Sequence, residues 1–216
     1  MVTTTLTTAS SPRIDARLGG RVMTVAALLG AASGAALIAW PPEVTPAMFS
    51  YPLGDASHLV FQAFFAVQQV GLLLGLLALT RLVSPGSTRP TRYGLVTAGV
   101  GMVLLVVMEV VELVVVAAIE VRTDSGAAAV IGTFFGVASV LIGAGLVVAG
   151  AGLARRRAFP GWARWIVLAC GVWVFVPMTP ALGGPMVVGR LVIAGWMLLF
   201  AALGVALTRA GRVGLE

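Results

Sequence analysis

Six stretches of the chain are almost uninterruptedly apolar, each close to the roughly 20 residues a helix needs to cross about 30 Å of hydrocarbon. They cover residues 22–40, 58–80, 93–120, 127–154, 165–182 and 185–208. Between them stand breaker-rich segments: "PPEVTPAMFSYPLGDAS", "SPGSTRP", "RTDSG", "RRRAFPG" and the tight "GGP" at Gly183 to Pro185. The pattern predicts an all-α polytopic bundle of six transmembrane helices over residues 22–208. Short polar tails flank it at 1–21 and 209–216. The first run ends in Trp40, Pro41 and Pro42 without a small-x-small cleavage site, so it reads as a retained span.

Composition agrees with this pattern. Hydrophobic residues make up 59% of the 216 and charged residues 10%, with a mean hydropathy of +1.05, outside the range of water-soluble domains. The net charge of +6 comes from fourteen basic residues, all arginine. The absence of lysine suggests a GC-rich genome. In a soluble protein such a balance would point to nucleic acid; here placement gives a simpler account. Arg13, Arg17, Arg21, Arg81, Arg89, Arg92, Arg155, Arg156, Arg157, Arg164, Arg209 and Arg212 flank the spans on one side, and Arg122 stands alone on the other. Under the positive-inside rule this alternation predicts a bacterial inner-membrane protein with both termini cytoplasmic, with the lipid bilayer and no nucleic acid as its partner.

Trp40, Tyr51, Tyr93, Trp162 and Trp165 fall near the predicted interfaces, where amphipathic rings are stable. Small residues recur at spacing four, as in Gly30/Gly34, Gly71/Gly75 and Gly132/Gly136. They predict close packing within one bundle, or a homo-oligomer through small-residue faces. Gly143, Gly145, Gly150 and Gly152 extend this in the fourth span and raise the alternatives of close packing and a hinge.

Several chemistries lack their residues. A single histidine and a single cysteine (Cys170) exclude bis-histidine haem within one chain, HExxH, CxxC and a three-histidine zinc site, and no Walker loop, GxSxG elbow or dinucleotide fingerprint occurs. No cofactor, metal or catalytic residue is expected.

What stands out is polarity inside the apolar runs. In "VVMEVVELVVV", Glu109 and Glu112 are three residues apart and so lie within about 60° on one helix face. Fifteen Leu, Ile and Val between Leu95 and Ile119 favour insertion by about 5–9 kcal/mol, against roughly 5–7 kcal/mol for two central charges, so the acids require a partner, a proton or water. Arg190 in the sixth run lies at similar depth and is the expected counter-ion. His58, Gln62 and Gln69 fall within about 40° on the second helix, with Gln68 to one side. Pro177 and Pro180 near the end of the fifth run either form a non-helical mouth or simply end the helix.

The expected constellation is therefore Glu109, Glu112, Arg190, His58, Gln62 and Gln69, opening outward to bind a small polar or cationic solute, a proton or a lipid headgroup. The competing readings are an accessory or sensor-like subunit in which these groups only lock the helices, and a lipid-acting enzyme. His58 near the interface either joins the site or is simply solvated. The acid inside the third helix, the "FPGWARW" entry to the fifth and the "GRLVIAGWMLLF" run of the sixth resemble small multispanning bacterial membrane proteins grouped as a domain of unknown function. That resemblance implies a six-helix membrane protein and assigns it no activity.

Overall fold

The computed structural model describes residues 15–84 and 86–213; Arg13 and the side chain of Arg212, both in the arginine tally, lie outside the described residues. The spans are α1 (Ala16–Ile38), α2 (Asp55–Val83), α3 (Arg89–Ala118), α4 (Gly126–Arg155), a composite fifth, and α7 (Met186–Val213). The fifth opens with a 3-10 turn at Gly161–Trp165 and continues through α5 (Ile166–Trp173), a π turn at Val174–Met178 and α6 (Thr179–Leu182). All six are long and apolar enough to cross a membrane, and the chain is a multi-pass integral membrane protein.

Several helices begin before their apolar runs because capping, not hydropathy, sets the ends. The Asp15 carboxylate accepts the Arg17 amide at the head of α1, and the Thr88 hydroxyl accepts the Thr91 amide at the head of α3, with Pro90 in the first turn. Ser125 does the same for Ala128 at the head of α4.

Each span packs against the next in sequence, and α7 returns to α1, so the six close into a ring. Glycines allow the backbones to meet. A Cβ at Gly20 would lie 2.6 Å from the Gly204 carbonyl across the α1–α7 seam, and one at Gly71 would lie 2.6 Å from Ala26 between α2 and α1. Four glycines in the second half of α4 serve packing: Gly143 on Val174 and Phe175, Gly145 on Gly94 and Ala98, Gly150 on Leu168, Gly152 on Thr91. Gly132 and Gly136 are different. Nothing lies within 4 Å of a Cβ at either, so this pair takes no part in the ring. Arg17 Nε donates to the Gly211 carbonyl at 2.8 Å, and the Trp173 and Trp196 indoles donate to the Val192 and Cys170 carbonyls, both 2.9 Å, across the α5–α7 seam.

The half of the ring nearer the arginine-rich ends is filled by Met23, Leu72, Leu76, Met102, Ile142, Leu146, Phe200 and Leu203, all essentially inaccessible. The opposite end is covered by the α1–α2 connection. Phe49 N–H donates to the Val121 carbonyl and Thr123 N–H to the Ala47 carbonyl, both at 2.9 Å, around an isolated antiparallel bridge between Met48 and Arg122. This stitches the connection to the α3–α4 loop as a cap.

Glu43 organises the cap. Its carboxylate accepts the Trp40 indole at 2.7 Å, the Gly54 amide at 3.0 Å and the Ser57 hydroxyl at 2.9 Å. These bonds, that from Trp40 foremost, hold its pKa below the ordinary glutamate value. A lowered acid pKa means that the contribution is complete above about pH 4.3 and fades as pH falls through the lower folded value. Hydrogen exchange should therefore show the Gly54 amide losing protection in acid, relative to its intrinsic rate, and Glu43→Ala should lose it already at neutral pH. Equal protection in the variant at neutral pH would remove Glu43 from this role.

Candidate functional site

Beneath the cap, on the axis of the ring, lies a cavity of about 420 Å³ to which all six spans contribute. The acids come from α3. Glu109 and Glu112 share one face and are 7% and 8% exposed. Gln62 faces them from α2, its amide nitrogen donating one bond to Glu109 Oε2 and another to Glu112 Oε2 at 2.7 Å, with the Glu109 carbonyl a weaker third contact at 3.4 Å. Two acceptors on one nitrogen bring the carboxylates within about 5 Å of each other. At that distance in a poorly polarisable interior, their mutual repulsion is relieved by a nearby positive charge or by a proton held on one of them.

His58, one helical turn before Gln62, is 7% exposed. It lies under the cap and is not simply solvated at an interface, because the α1–α2 connection folds over it. His58 Nε2 stands 3.6 Å from Glu112 Oε1, within ion-pair range yet too far for a hydrogen bond, and it has no hydrogen-bond partner. Gln69 lies deeper on the same stripe, close enough to act on Glu109, and its Oε1 is buried without a partner. Gln68, off the stripe, is also buried. Its amide reaches Met197 Sδ at 3.0 Å beside Gly30, where a Cβ would collide with it.

Arg190 lines the same cavity from α7. The direct ion pair expected from the sequence is not made: among the described residues His58 is the basic group within 4.0 Å of Glu112, and Arg190 acts on the two acids only at longer range. Gln62 occupies the bridging place because it sits on α2, which packs directly against α3, whereas α7 is not a neighbour of α3 in the ring.

The six residues singled out from the sequence thus line one cavity. Sequence reasoning missed the rest of the wall. Phe49, Ser50 and Leu53 enter from the cap, Phe61 and Phe65 from α2, Phe135 and Ser139 from α4, and Trp196 and Met197 from α7. The aromatic density of the first connection, with Phe49 and Tyr51 among four prolines, was the available signal. Pro177 sits inside the π turn and the helix runs on through Pro180 to Leu182, so neither proline stops it at once. The wider turn has Thr179 Oγ donating to the Val174 carbonyl at 2.7 Å and sends Met178 into the cavity.

A second cavity of about 570 Å³ lies between the cap and the facing ends of α2 and α3, lined by Asp55 and residues 116–121. Ser50 and His58 line both. Among the described residues no group of three His, Cys, Asp or Glu side chains could hold a metal ion. Comparison of the chain with protein-family models, with curated proteins and with solved structures returns no match, so the functional reading rests on this geometry.

Proposed function

We propose that this integral membrane protein binds a small solute in the axial cavity and carries it, or a proton exchanged with it, across a bacterial inner membrane. The observation that carries the reading is the unfilled volume. Charges that merely lock helices pair closely and are packed around, since an uncompensated charge in hydrocarbon is expensive. Here two carboxylates, a guanidinium in no ion pair among the described residues, an unpartnered imidazole nitrogen and an unpartnered amide oxygen surround about 420 Å³ of open space. That volume lies within the roughly 300–1,000 Å³ of small-molecule sites. Six spans with twelve arginines on one side and one on the other support cytoplasmic termini. That orientation faces the cap and both cavities outward, while the apolar half of the ring closes the cytoplasmic side in this state.

The structural reading also has an observation in its favour: the Gln62 amide ties α2 to α3 through both acids. One experiment separates the two. Thermal unfolding of the detergent-purified protein is followed with a panel of amines, amino acids, sugars and carboxylates, for wild type and for Glu109→Gln, Glu112→Gln and Arg190→Met. The binding reading expects at least one solute to raise the wild-type Tm, both glutamine variants to stay folded and lose that response, and Arg190→Met to alter its strength. A sharp loss of stability in every variant, with no solute shifting wild type, would replace it with helix locking.

A further inference from the structure

The cavity's free hydrogen-bonding capacity specifies its ligand. Resting on the binding reading above, we infer that the solute is a protonated amine, an organic ammonium bearing N–H groups, whose charged head is received by Glu109, Glu112 and Gln69 and whose apolar body lies against Phe61, Phe65 and Leu105.

The first argument is the direction of the unfilled bonds. A carboxylate accepts and, when ionised, cannot donate; its two oxygens offer about four lone-pair sites, and Gln62 takes one site on each acid. On Gln69 the Oε1, again an acceptor, is buried without a partner. Gln69 is 92% removed from solvent and lines the cavity, so this oxygen marks a place where a donor is missing. Around Glu109 and Gln69 the unfilled positions are therefore acceptors. A primary ammonium carries three donors and no acceptor.

The second argument is charge. With both acids ionised and His58 neutral, two carboxylates against one guanidinium would leave one negative charge in the cavity, which one ammonium balances. An anion would meet Arg190 but face both acids. A neutral solute would leave that charge uncompensated among largely buried groups. The third is shape. Phe49, Phe61, Phe65, Phe135 and Trp196 ring the polar groups, which suits an apolar body and allows a cation to meet ring faces. Arg190, on the opposite wall, limits the site to a single positive charge by repelling a second.

The test is thermal unfolding of the detergent-purified full chain with benzylammonium, benzyl alcohol, benzoate, benzyltrimethylammonium and sodium ions as probes. Benzylammonium is expected to raise Tm, by about 5–10 °C at one hundred times its Kd. The other four should have much smaller effects, because each lacks the charge, its sign, the N–H donors or the apolar body. Glu109→Gln/Glu112→Gln should abolish the shift. Arg190→Met should strengthen amine binding about tenfold or more by removing the repelling charge, an outcome opposite to that expected if Arg190 held an acidic group of the ligand. Gly132→Ala, outside the cavity, should leave it unchanged. If the double variant does not fold, the two single glutamine variants and Arg190→Met carry the decision. A shift with benzoate or benzyl alcohol as large as that with benzylammonium overturns the amine and leaves the binding reading standing. Equal shifts with sodium or with the quaternary ion overturn N–H recognition. Weaker amine binding in Arg190→Met also overturns the inference. No shift with any probe, together with no response to the wider solute panel, removes both proposals.

Discussion

Gln62→Leu should destabilise the protein by about 3–5 kcal/mol, the cost of breaking a buried charged network from one side. The amide donates to both Glu109 and Glu112, and among the described residues no other side chain donates to both acids. Leucine keeps the volume roughly constant and withdraws both bonds, so two carboxylates within about 5 Å would face each other with no donor between them. For a chain of this length the loss corresponds to about 6–20 °C in Tm. The compensating variant sharpens the expectation. In Gln62→Leu/Glu109→Leu/Glu112→Leu the network is removed whole, and stability should return to near or above wild type, because replacing a buried charged cluster with apolar groups is often neutral or stabilising. Solute response should be absent in the triple variant. If Gln62→Leu unfolds at the wild-type temperature, the bridge contributes nothing to stability.

A comparable loss, with an unrelated cause, is expected from Gly145→Leu. A Cβ at Gly145 would lie 2.5 Å from both the Ala98 amide nitrogen and the Gly94 carbonyl oxygen. Both are backbone atoms of α3, so relief requires the two helices to separate along their whole contact. The cost should reach about 3 kcal/mol or more, the upper end of overpacking. The contrast lies two to three turns away on the same helix. Gly136→Ala meets nothing within 4 Å and should be neutral or stabilise by about 0.5–1 kcal/mol, as expected when alanine replaces glycine in a helix. Thermal unfolding of the two variants side by side should give shifts of opposite sign, or one large and one negligible. Equal destabilisation would mean that Gly136 is packed in a way that the monomeric ring does not contain.

Hydropathy located all six spans, because bilayer thickness imposes a length and an apolar content on every crossing segment, and those are local properties. It placed their ends less well. Asp15 and Thr88 start α1 and α3 six and four residues before residues 22 and 93, where the apolar runs begin, since a cap acts on backbone amides and not on hydrophobicity. Helical periodicity put Glu109 beside Glu112, and His58 with Gln62 and Gln69, because 100° per residue makes these neighbours on one helix wherever the helix goes. Gln68 shows the limit of that reasoning. It is off the stripe yet buried, as α1 and α7 close on it from the other side.

The sequence by itself therefore determined the membrane class, the number of spans and which residues violate the solvent they must live in, all consequences of transfer free energy and helix geometry within single segments. Which of those residues meet was decided only by the tertiary structure. The ring order sets α2 against α3 and keeps α7 away from it, so Gln62 took the place beside the acids expected for Arg190. Only chain folding could bring Phe49, Ser50 and Leu53 over the cavity, or turn Gly132 and Gly136 away from the ring while Gly143 and Gly145 face it. Contacts between helices depend on rotation and order in the bundle, and an apolar surface that is equally soluble in lipid on every face leaves both undetermined until close packing and polar satisfaction select one arrangement.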